Sequence, residues 1–94
     1  MGLAPEIPMP EICRFYGLRI EMYFRDHGEP HCEVRYGEYV AKIAIQSLRI
    51  VRGSLPRRAF SLAGEWAEIH RDELMDNWQR TQAGRSAFRI DPLV

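Results

Sequence analysis

Residues 31–45, HCEVRYGEYVAKIAI, alternate apolar and polar side chains on both sides of a Gly37-Glu38 pair. A period of two is that of a half-buried β-strand, and two alternating runs separated by two residues read as a hairpin. The turn sets the register. Cys32 falls opposite Ile43, Val34 opposite Ala41 and Tyr36 opposite Tyr39 on the core face, while Glu33 faces Lys42, Arg35 faces Val40 and His31 faces Ala44 on the outer face. A slip of one residue would turn every apolar side chain of the pair to water. This hairpin therefore anchors any fold the chain adopts.

Around it, ICRFYGLRIEMYF reads as two short strands joined at Gly17, with Leu18, Ile20, Met22 and Phe24 on one face and Arg19, Glu21 and Tyr23 on the other. LRIVR, after Gln46-Ser47, gives a fifth strand. GSLPRRAF then opens a helix, with Ser54 or Leu55 at the cap and Pro56 in the first turn, where its missing N–H costs nothing. The helix runs to about Ala83, before Gly84. Ala59, Leu62, Ala63, Trp66 and Ile69 form one apolar stripe, but Leu74, Met75 and Trp78 centre about a quarter-turn away. Either the helix kinks at HRDEL with Asp72 capping a second segment, or its last turns pack on a different surface, such as a partner. FRIDPLV adds a short edge strand before Pro92. The expected fold is α+β: an antiparallel sheet of about five short strands followed by one long, kinked or straight, C-terminal helix packed on one face. Residues 1–8, rich in proline, read as a flexible extension, and residues 9–94 as a single domain.

The 94 residues carry 13 basic and 13 acidic side chains, so net charge alone gives no reason to expect a polyanionic partner. The distribution does. No acidic residue lies between Glu38 and Glu65, while Lys42, Arg49, Arg52, Arg57 and Arg58 all do. Twelve of the thirteen basic residues are arginine, the side chain suited to forked contacts with phosphate. Two cysteines, Cys13 and Cys32, are too few for a disulfide framework and sit in alternating segments where a reduced, buried thiol is usual. No apolar run is long enough to span a bilayer, and the N-terminus lacks the pattern of a secretory signal. A soluble, cytoplasmic protein without membrane contact is expected.

The stretch DHGEPHCEVRYG gathers the groups with chemical potential. His27 and His31 could chelate a metal together with Asp26, Cys32 or Glu33, but adjacent strand residues point to opposite faces, so His31 and Cys32 cannot share an ion without a bulge. No metal or other cofactor is expected. Cleavage of RNA without metal needs a base, an acid and cations for the phosphorane charge, which His27, His31, Glu33, Arg35 and Lys42 could supply from one face. Solvated loop and strand residues account for the same pattern. Gly53-Ser54 at a helix start, beside Arg52, Arg57 and Arg58, could hold phosphate, or could simply be a helix start with arginines in water. His70, Glu73 and Asn77 lie on one helix face and could orient a substrate or partner. Trp66 and Trp78 fall at core-like intervals.

From Met9 the chain resembles a bacterial family of domains of unknown function, number 4160. The resemblance rests on the MP.I start, the DH..PH loop, RYG.Y.AK, G.LP.R, EW...H..EL..NW and the closing IDPL. It implies a small intracellular protein encoded beside a second small domain, an arrangement similar to a toxin and antitoxin module in which the toxin role falls to this kind of domain. His27, His31 and Lys42 match positions that the family pattern repeats. Many members look like PHVHV where this chain has PHCEV, so Glu33 replaces an expected histidine. The leading expectation is a toxin-like component acting on RNA, as a ribonuclease or by binding, through His27, His31, Glu33, Arg35 and Lys42, with Arg52, Arg57 and Arg58 positioning phosphate. The second is a non-enzymatic module that binds a small antitoxin-like operon partner through Leu74, Met75 and Trp78, and the third a metal-binding regulator. A homodimer is left open.

Overall fold

The computed structural model describes residues 10–94, so the expected extension at 1–8 lies outside the described residues. Five strands, β1 (Glu11–Phe15), β2 (Leu18–Glu21), β3 (His31–Tyr36), β4 (Tyr39–Ala44) and β5 (Ile50–Gly53), precede helices α1 (Arg57–Ile69) and α2 (Arg71–Gln82). The strands form one antiparallel meander in chain order. The β3–β4 register is the one the sequence dictates, from His31 opposite Ala44 to Tyr36 opposite Tyr39. A second two-residue turn, Tyr16-Gly17, joins β1 to β2 and places Phe15 opposite Leu18.

Both helices cover the same face of the sheet. Cys13, Phe15, Leu18, Ile20, Cys32, Val34 and Ile43 share a single buried cluster with Ala59, Ala63, Trp66, Ala67, Leu74 and Trp78. Alanines at every fourth position of α1 let the helix approach the sheet closely, and Trp66 fills the remaining depth against Phe15, with ring centroids 5.7 Å apart. Except at the His31 end, where Trp78 of α2 packs on the ring, no helix among the described residues lies over the opposite face of the sheet.

Two helices stand where one long helix was an expectation. His70 leaves helical geometry, at φ −107° and ψ 25°, and ends α1 while capping α2. The hydrogen-bond ladder continues across it, from His70 N–H to the Trp66 carbonyl and from Leu74 N–H to the His70 carbonyl, so the break costs the backbone little. This is the first of the two alternatives that the phase shift left open. Asp72, however, is not the cap; it lies with Glu73 in the first turn of α2, where negative charge suits the helix dipole. The break also exposes Ile69, placed above in the apolar stripe, and brings Ala67 to the core instead.

Other expectations change for local reasons. Phe24 is exposed because β2 ends at Glu21 and the chain turns away through Arg25, which has a positive φ. α1 starts at Arg57 with Pro56 in the capping position and no side-chain cap. The C-terminal tail is not a strand, though Ile90 N–H donates to the Ile12 carbonyl beside β1. It is held as a strap: buried Asn77 donates to the Phe88 carbonyl at 2.8 Å and accepts from its N–H at 2.9 Å, and Trp66 Nε1 donates to the Asp91 carbonyl. Asn77 thus serves the tail rather than a substrate. Cys13 and Cys32 are free and buried, and burial pushes the Cys32 thiol up to about 12.

Candidate nucleic-acid interface

The uncovered face of the sheet carries two rows of charge. Glu11, Glu21, Glu33, Lys42 and Arg52 are successive cross-strand partners from β1 to β5, and Arg14, Arg19, Arg35 and Val40 form the adjacent row from β1 to β4. On β1 to β3 the rows neutralise each other diagonally. Glu21, only 5% exposed, accepts from Arg35 Nε at 2.8 Å and from the Tyr23 hydroxyl at 2.7 Å, and has Arg19 Nε 3.0 Å away. Glu33 accepts from Arg35 at 3.0 Å, and Glu11 from Arg14 at 2.7 Å.

Burial alone would raise the Glu21 carboxyl, but hydrogen bonds from Arg35 and Tyr23 and the charges of Arg35 and Arg19 outweigh it and hold the group below its ordinary range. A carboxyl that is more acidic in the fold than in the unfolded chain stabilises the fold at neutral pH. That contribution is lost as the pH falls from the ordinary carboxylate range through the lowered value. Glu21→Gln should therefore be less stable than the wild type at pH 7, with the gap narrowing in acid. Urea denaturation at several pH values reads this directly, and a gap that stays constant down to the acid limb would refute it.

On β4 and β5 the compensation stops. Lys42 faces Arg52, a like-charged pair of the kind that destabilises a sheet. Glu33, the other neighbour of Lys42 in the row, spends its ion pair on Arg35. Among the described residues neither Lys42 nor Arg52 has an ion-pair or side-chain hydrogen-bond partner, and the same holds for Arg49, Arg57 and Arg58. A groove lined by Glu33, Val40, Ala41, Lys42, Arg52 and Gly53 runs between the two basic side chains. Gly53 closes it: its φ is +81°, and a Cβ there would lie 2.1 Å from the Val40 carbonyl oxygen, so β5 is pressed against β4 as the chain leaves for α1. Arg57 and Arg58 are exposed in the first turn of that helix, which holds no acidic residue.

The expected catalytic set is only partly assembled. Glu33, Arg35 and Lys42 share the open face, but His31 does not. It is 5% exposed, its Nδ1 lies 2.8 Å from the Glu29 carbonyl and its Nε2 3.0 Å from Asp26 Oδ2, and its ring packs on Trp78 with centroids 5.1 Å apart. With an acceptor oxygen within hydrogen-bond distance of each nitrogen and the ring covered, His31 is a clamp between the β2–β3 loop and α2, not a surface base. His27 is exposed in that loop, whose Asp26 carbonyl is held by Gln82 from the end of α2. Among the described residues no three His, Cys, Asp or Glu side chains form a group able to hold a metal ion.

The face assigned above to a partner is also corrected. Leu74 is fully buried, Trp78 nearly so and Met75 half-buried against the chain's own core, because the kink at His70 rotates this stripe onto the end of the sheet. Conversely, Arg14, Tyr16, Arg19 and Glu21 belong to the open face without having been singled out. The Tyr16-Gly17 turn would have aligned Arg14 with Arg19 from sequence. Their alignment with Arg35 would not, since the β2–β3 connection leaves that register open.

Fold and surface together define a small α+β protein with helices on one side of an antiparallel meander and a charged, uncovered sheet on the other. The chain belongs to the family "Domain of unknown function (DUF4160)", whose model matches residues 17–79. The match takes in the histidine loop, the hairpin, both helix starts and Trp78; the MP.I start and IDPL lie outside it. No curated protein and no solved structure matches the chain. Among the described residues, no helix is long and apolar enough to cross a membrane.

Proposed function

We propose that the chain binds RNA through the open face of its sheet, and that it does so as the toxin-like component of a two-gene module. The observation that carries the RNA contact is the unmatched pair Lys42 and Arg52, opposed across β4 and β5 and continued by Arg57 and Arg58. A sheet that aligns two cations and turns the nearest carboxylate elsewhere is improved by an anion. The phosphate backbone supplies one at every nucleotide. The toxin-like role rests on the family resemblance. Binding is favoured over cleavage, because His31, a candidate base in the sequence, is buried with each nitrogen against an oxygen of its own loop. The partner-binding alternative loses its surface with the burial of Leu74 and Trp78.

The test is fluorescence anisotropy of a labelled RNA oligomer with the wild type and with Lys42→Glu/Arg52→Glu. Each lost phosphate contact weakens binding and flattens its salt dependence, so the double variant should bind roughly a hundred-fold more weakly, with a salt slope reduced by about two. Unchanged affinity and slope in a folded variant would sink the proposal.

A further inference from the structure

We propose that the groove beside the Tyr16-Gly17 turn is a nucleotide subsite, and that it makes the open face a reader of single-stranded rather than duplex RNA. This rests on the RNA reading above and assigns that surface its substrate class. The groove has a volume of about 310 Å³ and is lined by Arg14, Phe15, Tyr16, Leu18, Arg19 and Arg35, among others. That is the scale of a site for a molecule of nucleotide size.

Two features mark it. First, Arg14, Arg19 and Arg35 are direct cross-strand partners, so three arginines line one row of the sheet and the groove. Their glutamate partners sit in the neighbouring row, and the side chains stay 59%, 42% and 36% exposed. Among the described residues, Arg14 Nη1, Arg35 Nη1 and both terminal nitrogens of Arg19 have no partner, so donors remain available for a phosphate without dismantling the ion pairs. Second, Tyr16 occupies the first place of a turn whose two residues both have positive φ, 47° at Tyr16 and 81° at Gly17. That place favours Asn, Asp or Gly, and a bulky residue there is an outlier. The tyrosine is nevertheless presented at the tip, 61% exposed. Its described ring contact is with Phe15, at 6.0 Å and 81°, which leaves ring surface open.

An exposed ring beside a row of guanidinium groups is the arrangement that stacks a base and holds its phosphate. A base paired inside a helix offers no free face, whereas an unpaired base can splay onto the ring. The subsite lies on β1 to β3 and the Lys42–Arg52 pair on β4 and β5 of the same face. With strands about 4.8 Å apart, the two are roughly 15 Å distant, a span that a few extended nucleotides bridge. An acidic protein segment would satisfy the arginines but would make no use of the ring.

The experiment measures anisotropy of a mixed-sequence RNA of about twelve nucleotides, single-stranded and as its own duplex, with the wild type, Tyr16→Asn and Tyr16→Phe. Asparagine suits the turn, so Tyr16→Asn keeps the fold, which circular dichroism checks. The wild type should prefer the single strand. Tyr16→Asn should lose roughly ten-fold on the single strand and little on the duplex, and Tyr16→Phe should restore the wild-type values. Wild-type single-strand affinity in Tyr16→Asn, or preference for the duplex, overturns the subsite while the RNA reading stands. Failure of the wild type to bind either RNA overturns both.

Discussion

Gly53→Ala should lower stability by about 3–5 kcal/mol, a large part of the roughly 5–15 kcal/mol that holds a domain together. Two effects add. The φ of +81° costs an L-residue about 1–2 kcal/mol through the clash of its Cβ with the backbone. The same Cβ would meet the Val40 carbonyl oxygen at 2.1 Å and the Ala41 Cα at 3.0 Å, and both belong to backbone that cannot rotate away. β5 would have to lift from β4 and carry the start of α1 with it. Gly37 provides the internal comparison, because its φ is +57° and nothing lies within 4 Å of its Cβ position. Gly37→Ala should therefore cost only the conformational part, about 1–2 kcal/mol. Thermal denaturation separates the cases, since 1 kcal/mol is worth about 4–8 °C in a domain of this size. Equal shifts in the two variants would refute the close approach of β5 to β4.

That junction also shows where sequence reasoning reaches and where it stops. Alternation and a two-residue turn fixed the β3–β4 pairs, because side-chain period and connection length leave one register with an apolar face inside. The phase shift of the apolar stripe left a break near His70 or a second packing surface, because a straight helix cannot aim Trp66 and Trp78 at one sheet; the structure takes the break. What stayed out of reach depends on longer connections. The pairing of β2 with β3 aligns Arg19 with Arg35 and Glu21 with Glu33 across a nine-residue loop whose length sets no register. The open face, where the candidate site lies, is built from that alignment. Alternation also misplaced His31. Its position in the strand is an outer one, but the outer face at that end of the sheet is roofed by Trp78, and only the path of α2 after the kink puts it there.

The charge on the open face has a further consequence for how the site is distributed. The arginines of β1 to β3 are individually paired with carboxylates, so they hold their positions before any ligand arrives, whereas Lys42, Arg52, Arg57 and Arg58 have no ion-pair partner among the described residues and carry the long-range attraction. The pairs on buried Glu21 stabilise the fold, whereas the pair on exposed Arg14 adds little. The Glu21 pairs also supply orientation, because Glu21 accepts from Arg35 at one oxygen and has Arg19 beside the other, and so sets two guanidinium groups at a fixed angle beside the groove.

His31→Ala should lower stability by about 2–4 kcal/mol, and His27→Ala by less than about 0.5 kcal/mol, although both belong to the same DHGEPH stretch. The asymmetry follows from what each touches. Removing the His31 ring takes its nitrogens away from the Glu29 carbonyl and the Asp26 carboxylate, and leaves a void against Trp78 in a site almost closed to water. The loop from Met22 to Pro30 loses its tie through His31, and its middle is then held by Gln82 and by the Arg25 N–H to the Thr81 carbonyl, with Met22 N–H to the Pro10 carbonyl and Ile45 N–H to the Pro30 carbonyl at its ends. His27 is exposed, and the bond recorded at this residue comes from its backbone N–H to Asp26, which a side-chain substitution leaves in place. A surface base would give the opposite pattern, with wild-type stability and lost activity in His31→Ala. Melting within about 2 °C of the wild type would therefore refute the clamp. A growth assay in which His31→Ala relieves toxicity does not identify a catalytic histidine, because loss of the fold relieves toxicity as well; Lys42→Ala, which removes a half-exposed and unpaired side chain, is the variant whose effect reports on the surface.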